Sequence, residues 1–486
     1  MVGICSYGGY IPRYRLKREK IFEAMGWTGS SGLSKGEKAV ANFDEDSLTM
    51  AVAAGMDCMN GFDRRTLGGV YFASTTMPYQ ERQNAGIIAG ALGMEDNVRS
   101  ADFAGSLKSG TAALLAGIEA VVSKGVNNLM VCSSDCRLGK AGGTQEMIVG
   151  DAATAFLIGN QNVIAEYKGS FSSTCDFVDH YRGRSERFDR KWEDRWIRDE
   201  GFGKLIPKAV SGFLSKYNLK MTDFTRVIYS CYDPAERRNL NKTLGLEIER
   251  VQDPMLEQIG EAGAAQPLVM LVRTLEDANP GDKILVVSFG NGCDVLYFEV
   301  TDNIREMKGR KGLSWYLSHG VELDRYEKYL AWRGILPIER GIRGEEDSPT
   351  RWSIAWRKRK AVSGFCGTKC KKCGTPQFPP QRICVNPDCG ARDQMEDYYF
   401  SDKTGKIFSY TGDNLAASFN PPHVYGNIVF AEGGKFMMNF TDCDLDSLYV
   451  GMPAHFSFRI KFEDEKRGIT RYFWKAVPER LTTEEV

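Results

Sequence analysis

Four cysteines stand at a spacing that suits a metal. Cys370-Lys-Lys-Cys373-Gly and Cys384-Val-Asn-Pro-Asp-Cys389-Gly form two knuckles separated by ten residues. Four thiolates so placed can close a tetrahedral zinc site with Zn–S bonds of about 2.3 Å, and a glycine after each knuckle permits the tight turn. The alternatives are free thiols or a redox pair. A closed tetrathiolate leaves no open coordination position, so its role is folding rather than chemistry. Cys366 lies outside the spacing and reads as a bystander.

A second stretch, Ser100 to Gly125 (SADFAGSLKSGTAALLAGIEAVVSKG), reads as a strand end, a small-residue turn and a helix. A side chain at such a turn sits at a helix N-terminus, where the backbone dipole favours a developing anion. An acyl-transfer enzyme would place a cysteine there. This chain places Ser106, Leu107 and Lys108.

At 486 residues, two or three domains are expected. With 63 basic and 63 acidic residues, the chain as a whole has no electrostatic drive toward polyanions. No apolar run approaches a membrane span, and the N-terminus reads as a first strand rather than a signal peptide. Thirteen cysteines, four of them clustered near residue 380, suit a reducing cytoplasm with a metal site.

Strand and helix patterns alternate over 1–160 and again over 205–300, which predicts two similar α/β halves. Asp46 or Ser47 is placed to cap a helix running to Gly61. Residues 176–204, rich in Arg, Asp and aromatics, break the rhythm; they read either as an inserted cap over a pocket, beginning near residue 170, or as a solvated helix pair. From Asn303 to about Lys360 the composition turns polar, with long helical signals and a Gly/Glu/Asp/Ser/Pro loop at 344–349, which suggests a linker and docking helices.

After residue 363 the pattern is all-β. Five strands, from Gly405 to Ala476, suggest a small barrel of OB type. Such barrels often bind nucleic acid, and Arg357, Lys358, Arg359, Lys360, Lys369, Lys371, Lys372 and Arg382 could meet phosphates. The barrel itself carries Asp442, Asp444, Asp446, Glu463, Asp464 and Glu465, and shows no regular stacking aromatics, so nucleic acid is not the expected partner.

GDAATAFLIG (150–159), IGEAGAAQPL (259–268) and SFGNG (288–292) resemble the thiolase-like superfamily, nearest its hydroxymethylglutaryl-CoA synthase and β-ketoacyl-ACP synthase III branch. Residues 320–478, including YLAWRG (329–334) and GTKCKKCG with FPPQRIC, resemble the zinc-ribbon/OB domain that accompanies thiolases. The resemblance implies an α/β fold: a five-layer αβαβα domain from two α/β halves over 1–302, linker and docking helices over 303–363, a zinc ribbon over 364–394 and an OB barrel over 395–480. It also implies a homodimer acting on acyl-CoA.

The family's chemistry needs a nucleophilic Cys at the first turn, a His on a second-half loop and an Asn or Glu helper. By the resemblance, the nucleophile position falls on Leu107, the synthase-type Glu on or near Thr75, the His on Tyr232 and the Asn on Glu261. None of His180, His319, His423 and His455 matches a family position. Leucine cannot attack a thioester. Tyr232 and Glu261 then become the candidate catalytic groups: a phenol that donates to an enolate oxygen and a buried carboxyl that serves as base. The implied activity is carbon–carbon bond making or breaking in an acyl-CoA, of aldol or retro-aldol type without an acyl-enzyme, similar to steroid side-chain aldolases. Ordinary packing for Tyr232 and a surface charge for Glu261 is the competing reading.

Ser106 is a candidate nucleophile with no adjacent His to activate it, and Cys293 or Cys231 is a candidate displaced thiol. His180 could reach the pocket from the inserted segment, or be structural. Lys371 and Lys372 are candidate contacts for the nucleotide phosphates of CoA. The rival function is a non-catalytic CoA-binding scaffold subunit working with a thiolase-type partner.

Overall fold

All eight residues of Gly3–Tyr10 are buried, as are all eight of Ala152–Gly159. Strands covered on both faces carry continuous apolar or small side chains instead of an alternating pattern, and these two pair antiparallel at the middle of a nine-stranded sheet. The computed structural model describes residues 1–28, 34–307, 310–339, 341 and 350–479. They fall into two units. The first comprises Met1–Ala41, Asp46–Ile88 and Glu95–Leu330; the second comprises Asn42–Glu45, Ala89–Met94 and the rest of the chain from Ala331.

In the first unit the strands are β1 (Gly3–Tyr10), β2 (Gly69–Ala73), β3 (Arg99–Phe103), β4 (Asn128–Asp135), β5 (Ala152–Gly159), β6 (Ala165–Thr174), β7 (Arg226–Tyr229), β8 (Lys283–Phe289) and β9 (Gly292–Val300). Their order is β7-β8-β9-β6-β1-β5-β4-β2-β3. Each half repeats one pattern. From the outer edge inward, β3-β2-β4-β5-β1 pair parallel, parallel, antiparallel, antiparallel. A bridge at Val251, then β7-β8-β9-β6, repeats that sequence. The halves join where Gly3 and Ile4 meet Glu166 and Ala165.

Helices supply the remaining layers. Ser109–Val122 and Gln266–Glu276 pack on each other in the middle, the second touching β1 and β5 of one half and β7 and β8 of the other. Ser47–Cys58 covers the outer face of one half, and Ile206–Tyr217 that of the other. The result is the five-layer αβαβα arrangement expected from the sequence. Asp46 caps its helix through a reciprocal pair: its carboxylate accepts from Thr49 N, and Asp46 N donates to the Thr49 hydroxyl, each at 2.8 Å.

The segment 176–204 is neither a simple helix pair nor a loop. His180–Tyr181 and Arg190–Lys191 form a two-stranded ladder, then Asp194–Trp196 runs into a π-helix over Ile197–Leu205. The long helices expected beyond residue 302 are short pieces, Asp302–Met307, Ser314–Ser318 and Tyr326–Trp332 among them. Gly312 and Gly334, both with positive φ, interrupt the helical pattern. The loop expected at 344–349 lies outside the described residues. No helix among the described residues is long and apolar enough to cross a membrane.

In the second unit, Cys366–Cys370 pairs with Pro376–Gln377 and Met395–Tyr399. Five antiparallel strands follow, in the order Lys435–Asn439, His423–Phe430, Gly405–Asp413, Pro453–Asp464, Ile469–Pro478. A bridge from Phe440 to Ala476 brings the first and last of these together, closing the barrel. Inside this unit Arg459 is buried against Glu45 and Asp442, and Lys475 reaches Asp44 at 2.8 Å.

Candidate functional site

The turn after β3 is shaped by what its neighbours accept. The Ser106 hydroxyl donates to the Gly290 carbonyl at 2.7 Å and accepts from Lys108 N at 3.3 Å. Lys108 Nζ pairs with Asp294 Oδ1 at 3.1 Å, and the Thr111 hydroxyl donates to Asp294 Oδ2 at 2.9 Å. Ser106 and Lys108 are thus held by their own partners. Leu107, between them, lines a cavity that opens to solvent.

Tyr232 and Glu261 line the same cavity, with His180 and Lys191. Glu261 is fixed by backbone on both sides: its N donates to Ile148 O at 2.8 Å, and its carbonyl accepts from Gly150 N at 2.9 Å. Its carboxylate faces Arg137, whose terminal nitrogen lies 3.0 Å from Oε2. Arg137 also donates through Nε to Asp189 Oδ2 at 2.6 Å, and Arg182 meets the other oxygen of Asp189 at 3.0 Å. Burial pushes the Glu261 carboxyl above the usual range, and the Arg137 charge offsets this only in part. Glu261 is 7% exposed, so it is not a surface charge.

Tyr232 follows β7 and precedes the helix Pro234–Leu244, which Asp233 caps through Ala235 N at 2.7 Å. Its phenol is pushed up by burial, then by the neighbouring charges of Cys231, Asp233, Asp179 and Glu261. It therefore stays a proton donor at neutral pH. Lys191 Nζ lies 4.4 Å from the centre of its ring. Burial lowers that ammonium's pKa.

Behind the cavity, Asp135 at the end of β4 accepts six hydrogen bonds, from Ser74 Oγ, Thr75 N and Oγ1, Thr76 N and Oγ1, and Ala264 N, at 2.7–3.1 Å. Thr75, where the resemblance puts a synthase-type Glu, spends its hydroxyl on this brace and does not line the cavity.

Three sequence candidates stand apart from the lining. Ser106 is committed to Gly290. Cys293 is fully buried within β9, and burial pushes its thiol up to about 12; Cys231 is likewise buried and raised to about 12. Neither is a thiolate at neutral pH, and no cysteine among the described residues lines the cavity. Neither Ser106 nor Cys293, both candidate catalytic groups by sequence, is among the residues that line the cavity. Arg137, Asp179 and Lys191 were missed by sequence reasoning; only the Arg- and Asp-rich character of 176–204 hinted at the last two.

Elsewhere, the sulfurs of Cys370, Cys373, Cys384 and Cys389 lie within 4.8 Å of one another, with 3.8 Å between Cys370 and Cys389 and 3.5 Å between Cys373 and Cys384. A tetrahedron of ~2.3 Å Zn–S bonds has edges of ~3.8 Å, so the four thiols fit the metal. Cys366 stands outside this set. Lys371 and Lys372 are exposed. Of the flanking basic residues, Lys360 pairs with Asp397 at 2.9 Å and Arg382 with Asp393 at 2.6 Å.

The chain is similar to several known proteins. Residues 360–396 match the family model of the ChsH2 rubredoxin-like zinc ribbon domain. The chain is 31% identical over 320 residues to hydroxymethylglutaryl-CoA synthase of Methanopyrus kandleri, spanning 64% of this chain and 91% of that one. It is 32% identical over 313 residues to the enzyme of the same name from Picrophilus torridus, spanning 63% and 89%. Among solved structures, a hydroxymethylglutaryl-CoA synthase complexed with CoA superposes with a TM-score of 0.62 at 18% identity, covering 72% of this chain and 94% of that one. The 3-oxoacyl-[acyl-carrier-protein] synthase III of Aquifex aeolicus gives 0.53 at 15% identity, covering 62% and 100%. The shared fold is thiolase-like.

Proposed function

The chain belongs to the hydroxymethylglutaryl-CoA synthase family, and we propose that it makes or breaks a carbon–carbon bond in an acyl-CoA by direct aldol chemistry, without an acyl-enzyme. The observation that carries this reading is the company of Leu107, Tyr232 and Glu261 in one cavity. A hydrocarbon side chain occupies the turn where a covalent route needs sulfur. A proton donor and a high-pKa carboxyl face the same space.

In the cleavage direction the β-hydroxyl of a 3-hydroxyacyl-CoA loses its proton and becomes a carbonyl. The Cα–Cβ bond breaks, and its electron pair passes into the thioester enolate. The Tyr232 phenol donates a hydrogen bond to the enolate oxygen. Glu261, protonated, delivers its proton to Cα and leaves as carboxylate beside Arg137. Condensation runs the same steps backwards, with Glu261 carboxylate removing the Cα proton. Burial raises the Glu261 carboxyl and the Arg137 charge opposes that rise, so the two neighbours act on its proton in opposite senses.

The second unit holds one structural zinc in this reading, through Cys370, Cys373, Cys384 and Cys389; bound there, the metal supplies cross-linking and no reaction step. Lys371 and Lys372 remain proposed contacts for the nucleotide phosphates of CoA. Unchanged CoA affinity after joint replacement by alanine removes that assignment. A homodimer is proposed from the family alone.

The test is intact-mass analysis after incubation with acetyl-CoA, paired with product analysis on a panel of 3-hydroxyacyl-CoA thioesters. No adduct together with carbonyl and shorter acyl-CoA products supports the reading. Tyr232→Phe and Glu261→Gln should each lower kcat at least 100-fold. An acyl adduct, or a chain that binds CoA and turns over nothing, overturns it; the latter outcome describes a scaffold subunit.

A further inference from the structure

We propose that His180, held by Asp179, is the proton carrier of this cavity: it takes the β-hydroxyl proton as the Cα–Cβ bond breaks and returns it as the bond forms. This rests on the acyl-CoA reading above, which leaves the group serving the β-oxygen unassigned.

The imidazole is placed by the inserted segment. His180 pairs with Lys191 in the two-stranded ladder, and the Asp179 carbonyl accepts from Trp192 N at 2.8 Å. Both side chains line the cavity. His180 Nδ1 lies 2.8 Å from Asp179 Oδ2, and Asp179 is 6% exposed. A carboxylate at that distance takes the Nδ1 proton as a hydrogen bond, which leaves the lone pair on Nε2. That nitrogen is buried and has no hydrogen-bond partner among the described residues. A buried acceptor without a partner in the free protein suits a group whose partner arrives with substrate.

The other charged groups of the cavity lining have partners within the protein. Glu261 faces Arg137, which also holds Asp189 behind the lining. Lys191 is bound to Asp194 and covers the Tyr232 ring. His319 stacks on Trp315 and bonds to its carbonyl, and none of His319, His423 and His455 lines the cavity.

The proton balance is simple. In cleavage the β O–H bond breaks and an Nε2–H bond forms, giving imidazolium beside the Asp179 carboxylate. The oxygen pair becomes the C=O π bond, and the Cα–Cβ pair goes to the enolate. In condensation Nε2–H returns the proton to the alkoxide. Asp179 is a positioning residue: it holds the tautomer and stabilises the imidazolium.

The experiment uses the full chain. Long-range proton–nitrogen spectra of the ¹⁵N-labelled protein, with four histidines and the His180 signal assigned by its loss in His180→Gln, should show Nδ1–H and a bare Nε2. Asp179→Asn should scramble that tautomer. On 3-hydroxyacyl-CoA, His180→Gln should lower kcat at least 100-fold with KM within threefold and an unchanged melting temperature. Should His180→Gln misfold, the wild-type spectrum and Asp179→Asn still decide. An Nε2–H tautomer, or an active enzyme whose kcat survives His180→Gln within threefold, overturns this proposal alone. A wild-type chain inert on every CoA thioester overturns the functional reading and this proposal together.

Discussion

The Ser106 hydroxyl reaches the Gly290 carbonyl at 2.7 Å, tying the first-half turn to the glycine-rich loop of the second half across 184 residues of chain. The approach is close: a Cβ built on Gly290 would lie 2.8 Å from Ser106 Oγ and 3.0 Å from Leu107 N. Gly290→Ala therefore must displace the turn that carries Leu107. We expect a loss of about 1–3 kcal/mol in chemical denaturation and weaker CoA-thioester binding by calorimetry. Ser106→Ala removes only the hydrogen bond, about 0.5–1.5 kcal/mol, and leaves kcat within threefold, because the hydroxyl is a strut.

Arg137 is enclosed with two carboxylates, Glu261 and Asp189, at 3.0 and 2.6 Å. Removing the cation strands both. Arg137→Met should cost about 3–5 kcal/mol, whereas Glu261→Gln, which keeps a hydrogen-bond acceptor, should cost well under half of that while abolishing turnover. Equal destabilisation by the two variants would mean the pair is not coupled as described.

Metal analysis of protein purified without chelator should return one zinc per chain. Stripping the metal, or Cys370→Ser with Cys384→Ser, should unfold the ribbon and lower the melting temperature, since ligand-binding energy in such modules is folding energy. A chain whose thermal unfolding is indifferent to chelator contradicts the site.

Asp57 gives a pH signature. Burial raises its carboxyl to about 6 from 3.8, and the Gly9 N–H, Arg310 and Lys311 pull it down only in part. A folded-state pKa above the unfolded value means that the stabilisation is complete below pH 4 and is lost as the pH rises through 6. The loss amounts to about 3 kcal/mol at most. Asp57→Asn cannot ionise. The stability of wild type minus that of the variant should fall between pH 4 and pH 7 and be flat above; a flat difference throughout refutes it.

Much of the fold was legible from local signals. Apolar runs over 128–133 and 152–158 became central strands, because a strand buried on both faces has to be apolar throughout. The Cys knuckles converged because chain-local turns bring each pair together. Where local signals misled, glycines with positive φ at 312 and 334 cut the long helices expected after residue 302. The ladder of 176–204 escaped notice because two-residue strands leave no periodicity to read.

By itself, then, the sequence determined the layered α/β class, the cluster of four thiols and the hydrocarbon side chain at Leu107, since each is written in residue type at short range. Only the tertiary structure decided which polar groups share a cavity. Leu107, His180, Tyr232 and Glu261 come from four separate segments, and long-range packing alone fixes that His180 is in the lining while Ser106 and Cys293 are not. Spacing along a chain reports neighbours within a few residues; enclosure by residues more than a hundred positions apart is a property of the folded layers.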